Sequence, residues 1–197
     1  MAETTLVLLA AGRATRMRGV DKMLEPVPAA FGDRPLIEVM AKRCLRAGPT
    51  RVVLGPGQAA RRAALEGLDV TIREAPEGAG MAASIVAGVA GLGGPVLLVL
   101  ADMPDVTAAD LHLMIALGAT APEAILRAAS EDGRPGHPVL FPADLLPELG
   151  ALTGDTGARS VLERHAARMH LVPLAGQRAL TDLDTPEAWA AWRAGRG

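Results

Sequence analysis

The stretch from Thr5 to Leu24, TLVLLAAGRATRMRGVDKML, decides the fold of this chain. Its apolar run Leu6–Leu9 ends in the small residues Ala10-Ala11-Gly12, a pattern typical of a parallel strand that is buried on both faces. The loop that follows carries four cations, Arg13, Arg16, Arg18 and Lys22. Because open α/β sheets bind ligands beyond the carboxyl ends of their strands, these cations predict a polyphosphate site. The loop by itself fits a solvated basic turn equally well, since a glycine-containing turn after a strand is a weak signal.

The rest of the chain alternates apolar, strand-like runs with amphipathic segments of helical length. Further strands are predicted at Arg51–Leu54, Val70–Ile72 and Pro95–Leu100, and helices at Pro35–Gly48, Gly55–Gly67, Met81–Leu92 and Thr107–Leu117. This order predicts a mostly parallel, Rossmann-like sheet covered by helices, which is a three-layer α/β/α sandwich. In the C-terminal third, Ala124–Ala129 and Pro138–Phe141 predict a short antiparallel addition, either a hairpin or a pair of edge strands.

Composition limits the partners that the chain could have. Its 197 residues predict a single domain over residues 1–197. A net charge of −2 and an aromatic content of 2% argue against nucleic acid or an anionic membrane as a partner. The single cysteine, Cys44, cannot form an intrachain disulfide, and no apolar stretch reaches the roughly 18 residues of a membrane span. We therefore expect a cytoplasmic protein that binds neither nucleic acid nor a membrane.

Two aspartates are candidates for a functional site. Asp102 comes directly after the buried run Pro95–Leu100, where a carboxylate is costly without a partner. That partner could be a metal ion, an arginine or the amides of the next helix. Asp184, in the segment TDLDTP, could share the same site or simply precede a helix. The sequence has no Gly-x-Ser-x-Gly elbow and no histidines at zinc-ligand spacing, which argues against a hydrolase.

Six segments resemble, in order, the motifs of one family: the molybdenum cofactor cytidylyltransferases and their guanylyltransferase relatives. These enzymes belong to the NTP transferases that have a GT-A-type, Rossmann-like sheet. The segments are LAAGRATRMRGVDKML (9–24), EGAGMAASI (77–85), LADMP (100–104), GHPVLF (136–141), GDTGAR (154–159) and DLDTPE (182–187). Together the six segments extend over nearly the full chain, which makes the resemblance far more specific than one glycine-rich loop would be.

The resemblance implies a Mg²⁺-dependent transfer of CMP from CTP to the phosphate of molybdopterin, with release of pyrophosphate. It implies catalytic roles for Arg16, Lys22 and Asp102, and a metal bound by Asp102 and Asp184, for which Mn²⁺ is an alternative. The nucleotide-binding residues that it implies are Leu9, Ala10, Ala11, Gly12, Arg13, Gly78, Gly80 and Ser84. For the acceptor it implies His137, Asp155 and Arg159. A molybdoenzyme or its chaperone could then receive the product.

Ala11 bears on the choice of nucleotide. Family members that use CTP tend to have Ala-Ala-Gly where the guanylyl relatives have Ala-Gly-Gly, and the methyl group of Ala11 would occupy space that a purine needs. A difference of that size gives only about 1–3 kcal/mol of discrimination, so GTP stays an alternative substrate. Ala101 and Pro135 depart from the family pattern, and a sugar phosphate or another small acceptor is a further alternative. A non-catalytic cofactor-delivery protein is disfavoured because Lys22 and Asp102 are both present.

Overall fold

Strand β1 (Thr5–Leu9) is formed by the apolar run of the opening stretch and lies inside the sheet. The computed structural model describes residues 3–12, 17–28, 32–77 and 80–195. Side chains of β1 alternate between two cores, because successive residues of a strand point to opposite faces of the sheet. Leu6 and Leu8 pack into the core on one face, and Val7 and Leu9 pack into the core on the other. A strand covered on both faces requires this unbroken apolar run.

The sheet is mixed, with a parallel half built around β1. The further strands of the described residues are β2 (Pro26–Val27), β3 (Arg34–Pro35), β4 (Thr50–Leu54), β5 (Thr71–Glu74), β6 (Val96–Leu100), β7 (Ile125–Ala129), β8 (Pro135–Phe141) and β9 (Met169–Pro173). The main sheet has the order β5-β4-β1-β6-β8-β7-β9, and β8 runs antiparallel to both of its neighbours. All other neighbours in this sheet are parallel, and β2 and β3 form a separate antiparallel pair.

Helices cover both faces of the sheet. They are α1 (Leu36–Ala47), α2 (Ala59–Ala63), α3 (Met81–Val89), α4 (Ala108–Thr120), α5 (Leu146–Gly150), α6 (Arg159–Arg164) and α7 (Pro186–Ala194), with 3₁₀ turns at Lys22–Leu24, Ala143–Leu145 and Ala166–Arg168. The core on one face contains residues of α1, α4 and α7, and the core on the other face contains residues of α3, α5 and α6. No helix in the described part of the chain is long and apolar enough to cross a membrane.

This architecture confirms the predicted three-layer α/β/α sandwich, and the following three features differ from the sequence prediction. The helix predicted over Gly55–Gly67 is shorter, because glycines with positive φ at Gly57 and Gly67 turn the chain on either side of α2. The predicted hairpin is present, but β8 lies between β6 and β7 rather than at an edge. Strand β9, which pairs with β7, was not predicted, because its half-exposed residues lack a clear apolar alternation.

Gly88 allows α3 to lie close to the sheet, and this approach places the last turn of the helix against β1 and β4. A Cβ atom at Gly88 would lie 2.4 Å from Cγ1 of Val7 and 3.0 Å from Cγ2 of Val53. Both valines are fully buried in the sheet, so neither side chain has free space into which it could move.

We expect Gly88→Ala to destabilise the fold by about 1–2 kcal/mol, because overpacking costs about 1–3 kcal/mol and exceeds the gain of up to about 1 kcal/mol in helix propensity. Urea denaturation followed by circular dichroism measures this free energy of unfolding. Gly93→Ala is the control, since a Cβ atom there would have no atom within 4 Å. Equal or higher stability of Gly88→Ala would contradict this account of the helix packing.

Candidate active site

A cavity of about 450 Å³ lies beyond the carboxyl ends of β1, β4 and β6. We call it the strand-end cavity, and it is lined by residues from each of the segments that leave these strands. They include Leu9, Ala11, Gly12, Lys22, Gly55, Gln58, Gly80, Met81, Ser84 and Asp102. Because the parallel strands all end at this edge, loops that are distant in sequence contribute to one concave surface, which is where open α/β sheets bind their ligands.

Lys22 is the charged centre of the strand-end cavity. Its Nζ donates a hydrogen bond to Oδ2 of Asp102 at 2.6 Å and another to Oδ1 of Asp184. Only 7% of the lysine is exposed, so burial by itself lowers the pKa of Lys22. The charges and hydrogen bonds of Asp102 and Asp184 outweigh that effect and raise the pKa above its ordinary value. The side chain is therefore a protonated ammonium group at neutral pH.

Asp102 and Asp184 reach Lys22 from two distant parts of the chain. Asp102 follows β6, and its carbonyl oxygen accepts a hydrogen bond from the N–H of Leu183 at 3.1 Å, which holds the C-terminal segment beside it. Asp102 does not cap the next helix, because Thr107 begins α4 with a reciprocal capping box. The cap of α7 is likewise made by Thr185. Neither aspartate caps the helix that follows it, and both contact Lys22 instead.

The two carboxylates could bind a divalent cation whose remaining coordination positions are occupied by oxygen atoms of a substrate. They converge on a single cationic atom, and Mg²⁺ is commonly held by one or two carboxylates together with substrate phosphates. Among the described residues there is no group of three or more histidine, cysteine, aspartate or glutamate side chains that could hold a metal by itself. A metal at Asp102 and Asp184 would therefore depend on a phosphate ligand for its remaining coordination.

The predicted nucleotide-binding residues divide into three groups. Leu9, Ala11, Gly12, Gly80 and Ser84 all line the strand-end cavity. Ala10 is buried, and its carbonyl oxygen accepts a hydrogen bond from Arg61. The remaining two, Arg13 and Gly78, lie outside the described residues, and so does Arg16, which was predicted to be catalytic.

Two polar residues of this region escaped the sequence interpretation. Gln58 donates from Nε2 to the carbonyl oxygen of Ala11 at 3.0 Å, and Arg61 is buried against Asp21. In the sequence, Arg61 is one of several arginines in an Arg- and Ala-rich helical pattern, which is typical of a solvated face. Only an interruption of the amphipathic pattern could have indicated that Arg61 is buried, and the segment is too short to show such an interruption.

A second cavity, of about 510 Å³, adjoins the first. We call it the hairpin cavity because Arg127 of β7 and His137 of β8 lie on its lining. Its other lining residues include Leu9, Met81, Ile85, Leu98, Val139, Phe141, Thr156, Arg159 and Met169. Leu9 and Met81 line both cavities, so the two spaces meet at these side chains. The hairpin cavity combines apolar walls with cationic and polar groups.

His137 is held neutral in the hairpin cavity. Burial, and after it the positive charge of Arg127, lower its pKa to about 4, although the charge of Asp102 acts in the opposite direction. Burial also lowers the pKa of Arg127, whose Nε donates to the carbonyl oxygen of Gly136 at 3.1 Å. Within the described structure, Nδ1 of His137 is buried and has no hydrogen-bond partner. A ligand with a polar group at this position could form a hydrogen bond with Nδ1 of His137.

The residues predicted for the acceptor lie on or beside the hairpin cavity. His137 and Arg159 line it, and Arg159 is largely exposed, with Nε 2.8 Å from Oε1 of Glu163. Asp155 lies against the first turn of α3, where a Cβ atom at Gly80 would be only 2.0 Å from its Oδ1. The segment 154–157 therefore packs at the junction of the two cavities.

Residues 6–169 match the model of the MobA-like NTP transferase domain. The chain belongs to this family. It is therefore a nucleotidyltransferase of the α/β class, and the family binds nucleoside triphosphates. The match includes β1, the loop after it and Asp102, and it ends before Asp184. No curated protein matches the sequence significantly.

Solved structures of similar proteins share this fold along nearly their whole length. Rv0371c from Mycobacterium tuberculosis H37Rv is 29% identical, with a TM-score of 0.77 and coverage of 97% of this chain and 98% of that one. Its manganese complex aligns at 25% identity with a TM-score of 0.78, covering 96% and 97%. A nucleotidyl transferase from Methanothermobacter thermautotroptrophicus, at 24% identity and a TM-score of 0.77, covers 98% of this chain and 97% of its own and shows the same fold.

The lowered pKa of His137 predicts a loss of stability in mild acid. The His137 imidazole binds a proton near pH 6.5 in the unfolded chain and only near pH 4 in the folded chain. The contribution of neutral His137 to the free energy of unfolding is therefore fully present above pH 6.5 and is lost as the pH falls from 6.5 towards 4. Relative to that of His137→Asn, the free energy of unfolding of the wild type should fall by about 2 kcal/mol between about pH 7.5 and about pH 5. Urea denaturation of both proteins measures the difference, and a difference that is independent of pH would contradict the prediction.

Proposed function

We propose that this nucleotidyltransferase transfers CMP from CTP to the phosphate group of molybdopterin and releases pyrophosphate. The observation that carries the proposal is the pairing of Lys22, which lines the strand-end cavity with Asp102, with both Asp102 and Asp184, next to a second cavity that could hold the acceptor. The six ordered sequence segments that resemble molybdenum cofactor cytidylyltransferases support this choice of substrates.

The reaction needs neutralisation of charge more than it needs a general base. An oxygen of the acceptor phosphate attacks the α-phosphorus of CTP, the bond to the β-phosphate oxygen breaks, and pyrophosphate leaves. A phosphate monoester is already an anionic nucleophile, so the barrier arises from repulsion between anions and from the charge that develops on pyrophosphate. A divalent metal bound by Asp102 and Asp184 would act as a Lewis acid on the phosphate oxygens. Manganese in the Rv0371c structure supports such a site.

Lys22 supplies a fixed positive charge to the same place. Its ammonium group is paired with both aspartates, so the triphosphate of a bound nucleotide would compete with the carboxylates for it. The raised pKa of Lys22 keeps the charge in place across the neutral range. We infer that Lys22 binds the phosphates of the nucleotide while the two carboxylates hold the metal.

The hairpin cavity supports a heteroaromatic acceptor that carries an anionic group. Phe141, Val139 and Met169 provide apolar contact area, and Arg127 and His137 provide hydrogen-bonding groups at the same surface. A pterin ring has apolar faces and a polar edge, and it fits this combination. Because the two cavities meet at Leu9 and Met81, a phosphate on such an acceptor could reach the α-phosphate of a nucleotide in the strand-end cavity.

The proposed reaction is tested with the purified protein, Mg²⁺ and molybdopterin, by measuring pyrophosphate release and the dinucleotide product with CTP and with GTP. We expect turnover with CTP and a loss of at least about 100-fold in kcat for Asp102→Asn, because a metal ligand and a partner of Lys22 are removed together. Asp144→Asn is the matched control, since Asp144 forms an exposed ion pair with Arg168.

If neither CTP nor GTP reacts with molybdopterin, the proposed acceptor is refuted. Turnover with GTP alone would overturn the choice of base and favour the guanylyl alternative. A sugar phosphate that replaces molybdopterin efficiently would assign the chain to the small-acceptor class instead.

Ala11 lines the strand-end cavity, and its methyl group is the proposed filter against purines. Ala11→Gly should lower the ratio of kcat/KM for CTP to that for GTP by about tenfold, since removal of one methyl group from a binding surface alters discrimination by about 1–3 kcal/mol. Ala90→Gly, at the exposed end of α3, controls for the added flexibility of a glycine. An unchanged ratio in Ala11→Gly would show that the base is selected elsewhere.

A further inference from the structure

Arg61 is a buried cation that the proposed reaction does not use. It belongs to α2, only 3% of it is exposed, and a guanidinium group is rarely buried unless all of its donors are satisfied. Its neighbour Arg62 has an ordinary surface position and pairs with Glu74 at 2.5 Å. The burial of Arg61 therefore needs a specific explanation.

The guanidinium of Arg61 binds four acceptors at once. Nε lies 2.7 Å from Oδ2 of Asp21, and Nη2 lies 2.8 Å from Oδ1 of the same residue. Nη1 donates to the carbonyl oxygen of Gly12 at 3.0 Å and also to that of Ala10. A planar guanidinium can make the paired contact with a carboxylate and the carbonyl contacts together, whereas an ammonium group cannot reproduce this fork.

These acceptors belong to the two ends of the loop that follows β1 and leads to Lys22, which we call the nucleotide loop. Ala10 and Gly12 are where the chain leaves β1, and Asp21 directly precedes Lys22. Oδ1 of Asp21 also accepts a hydrogen bond from the N–H of Met23 at 3.0 Å, which begins the 3₁₀ turn that carries Lys22. One side chain of α2 thereby holds the start of the loop and the turn that positions the catalytic lysine.

The same contacts set the direction of the backbone amides at the start of the loop. In a planar trans peptide, the C=O of one residue and the N–H of the next point in opposite directions. Arg61 binds the carbonyl of Ala10, and Gln58 binds the carbonyl of Ala11 at 3.0 Å. The N–H groups of Ala11 and Gly12, two residues that line the strand-end cavity, are thus held pointing away from the side chains of Arg61 and Gln58.

We propose that Arg61 is a positioning residue for nucleotide binding, acting through Asp21 and the carbonyls of Ala10 and Gly12. It contacts no reacting atom, and its effect is to keep the loop amides and Lys22 in one arrangement before the nucleotide binds. This preorganisation lowers the entropic cost of binding a flexible triphosphate. The proposal rests on the proposed nucleotide site in the strand-end cavity, and it is independent of the identity of the acceptor.

Three variants test the role of Arg61. Arg61→Met keeps an apolar stem without donors, Arg61→Lys keeps the charge without the fork, and Asp21→Asn keeps an acceptor for the N–H of Met23 but loses the ion pair. The exposed neighbour provides the control, Arg62→Met. Calorimetry measures the dissociation constant of CTP with Mg²⁺, and amide hydrogen exchange is followed in peptides that span residues 5–12, 17–24 and 96–100.

We expect Arg61→Met to raise the dissociation constant about tenfold or more, Arg61→Lys and Asp21→Asn to raise it by about threefold or more, and Arg62→Met to change it by less than about twofold. Exchange in the Arg61 and Asp21 variants should become faster in the peptides 5–12 and 17–24 and stay unchanged in 96–100. A merely structural arginine would accelerate exchange in all three peptides together.

The proposal is overturned if folded Arg61→Met binds CTP as tightly as the wild type, or if exchange rises equally in all three peptides. If Arg61→Met does not fold, Asp21→Asn decides by the same two criteria, because its side chain is about one-third exposed and tolerates replacement. Failure of the proposed function would appear instead as a wild type that transfers no CMP. The exchange comparison needs no substrate and stays decisive in that case.

Discussion

A buried ammonium group, Lys22 Nζ, requires anionic partners, and this requirement connects distant parts of the chain. Burial of an unpaired charge would cost several kcal/mol, so Lys22 can occupy the strand-end cavity only with Asp102 and Asp184 beside it. Asp184 reaches it because α7 packs against the core, with Trp189 fully buried and Arg193 2.5 Å from Glu25. The last helix thus positions a residue of the site as well as completing the core.

The antiparallel strand β8 brings the second cavity to the same edge of the sheet. Its register pairs Leu98 of β6 with Val139, so the beginning of β8 lies beside the carboxyl end of β6. A parallel strand at this position would have placed its amino-terminal residues at the far edge. The reversal of direction therefore places His137 on the side of the sheet where Asp102 emerges. It is the physical reason that the strand-end and hairpin cavities are neighbours.

Much of the candidate site could be predicted, because Lys22 and Asp102 follow strands with clear apolar runs and because the motifs of the resembled family imply the other residues. Leu9, Ala11, Gly12, Lys22, Gly80, Ser84 and Asp102 were all predicted and all line one cavity. The sequence alone left Asp184 undecided between a helix start and a shared site, because local pattern cannot report a contact with a residue 162 positions away. Arg127 and Arg61 were missed for a similar reason, since their roles depend on burial by elements that are remote in sequence.

The amino-acid sequence by itself determined the alternation of strands and helices, the parallel half of the sheet and the family to which the chain belongs. These features depend on local apolar periodicity and on short motifs, which a linear chain displays directly. Only the tertiary structure decided that β8 lies inside the sheet, that β9 pairs with β7 at the edge of the sheet, and that Lys22 forms ion pairs with two aspartates. Those outcomes depend on which surfaces are buried together, and burial is a property of the packed chain rather than of any segment of it.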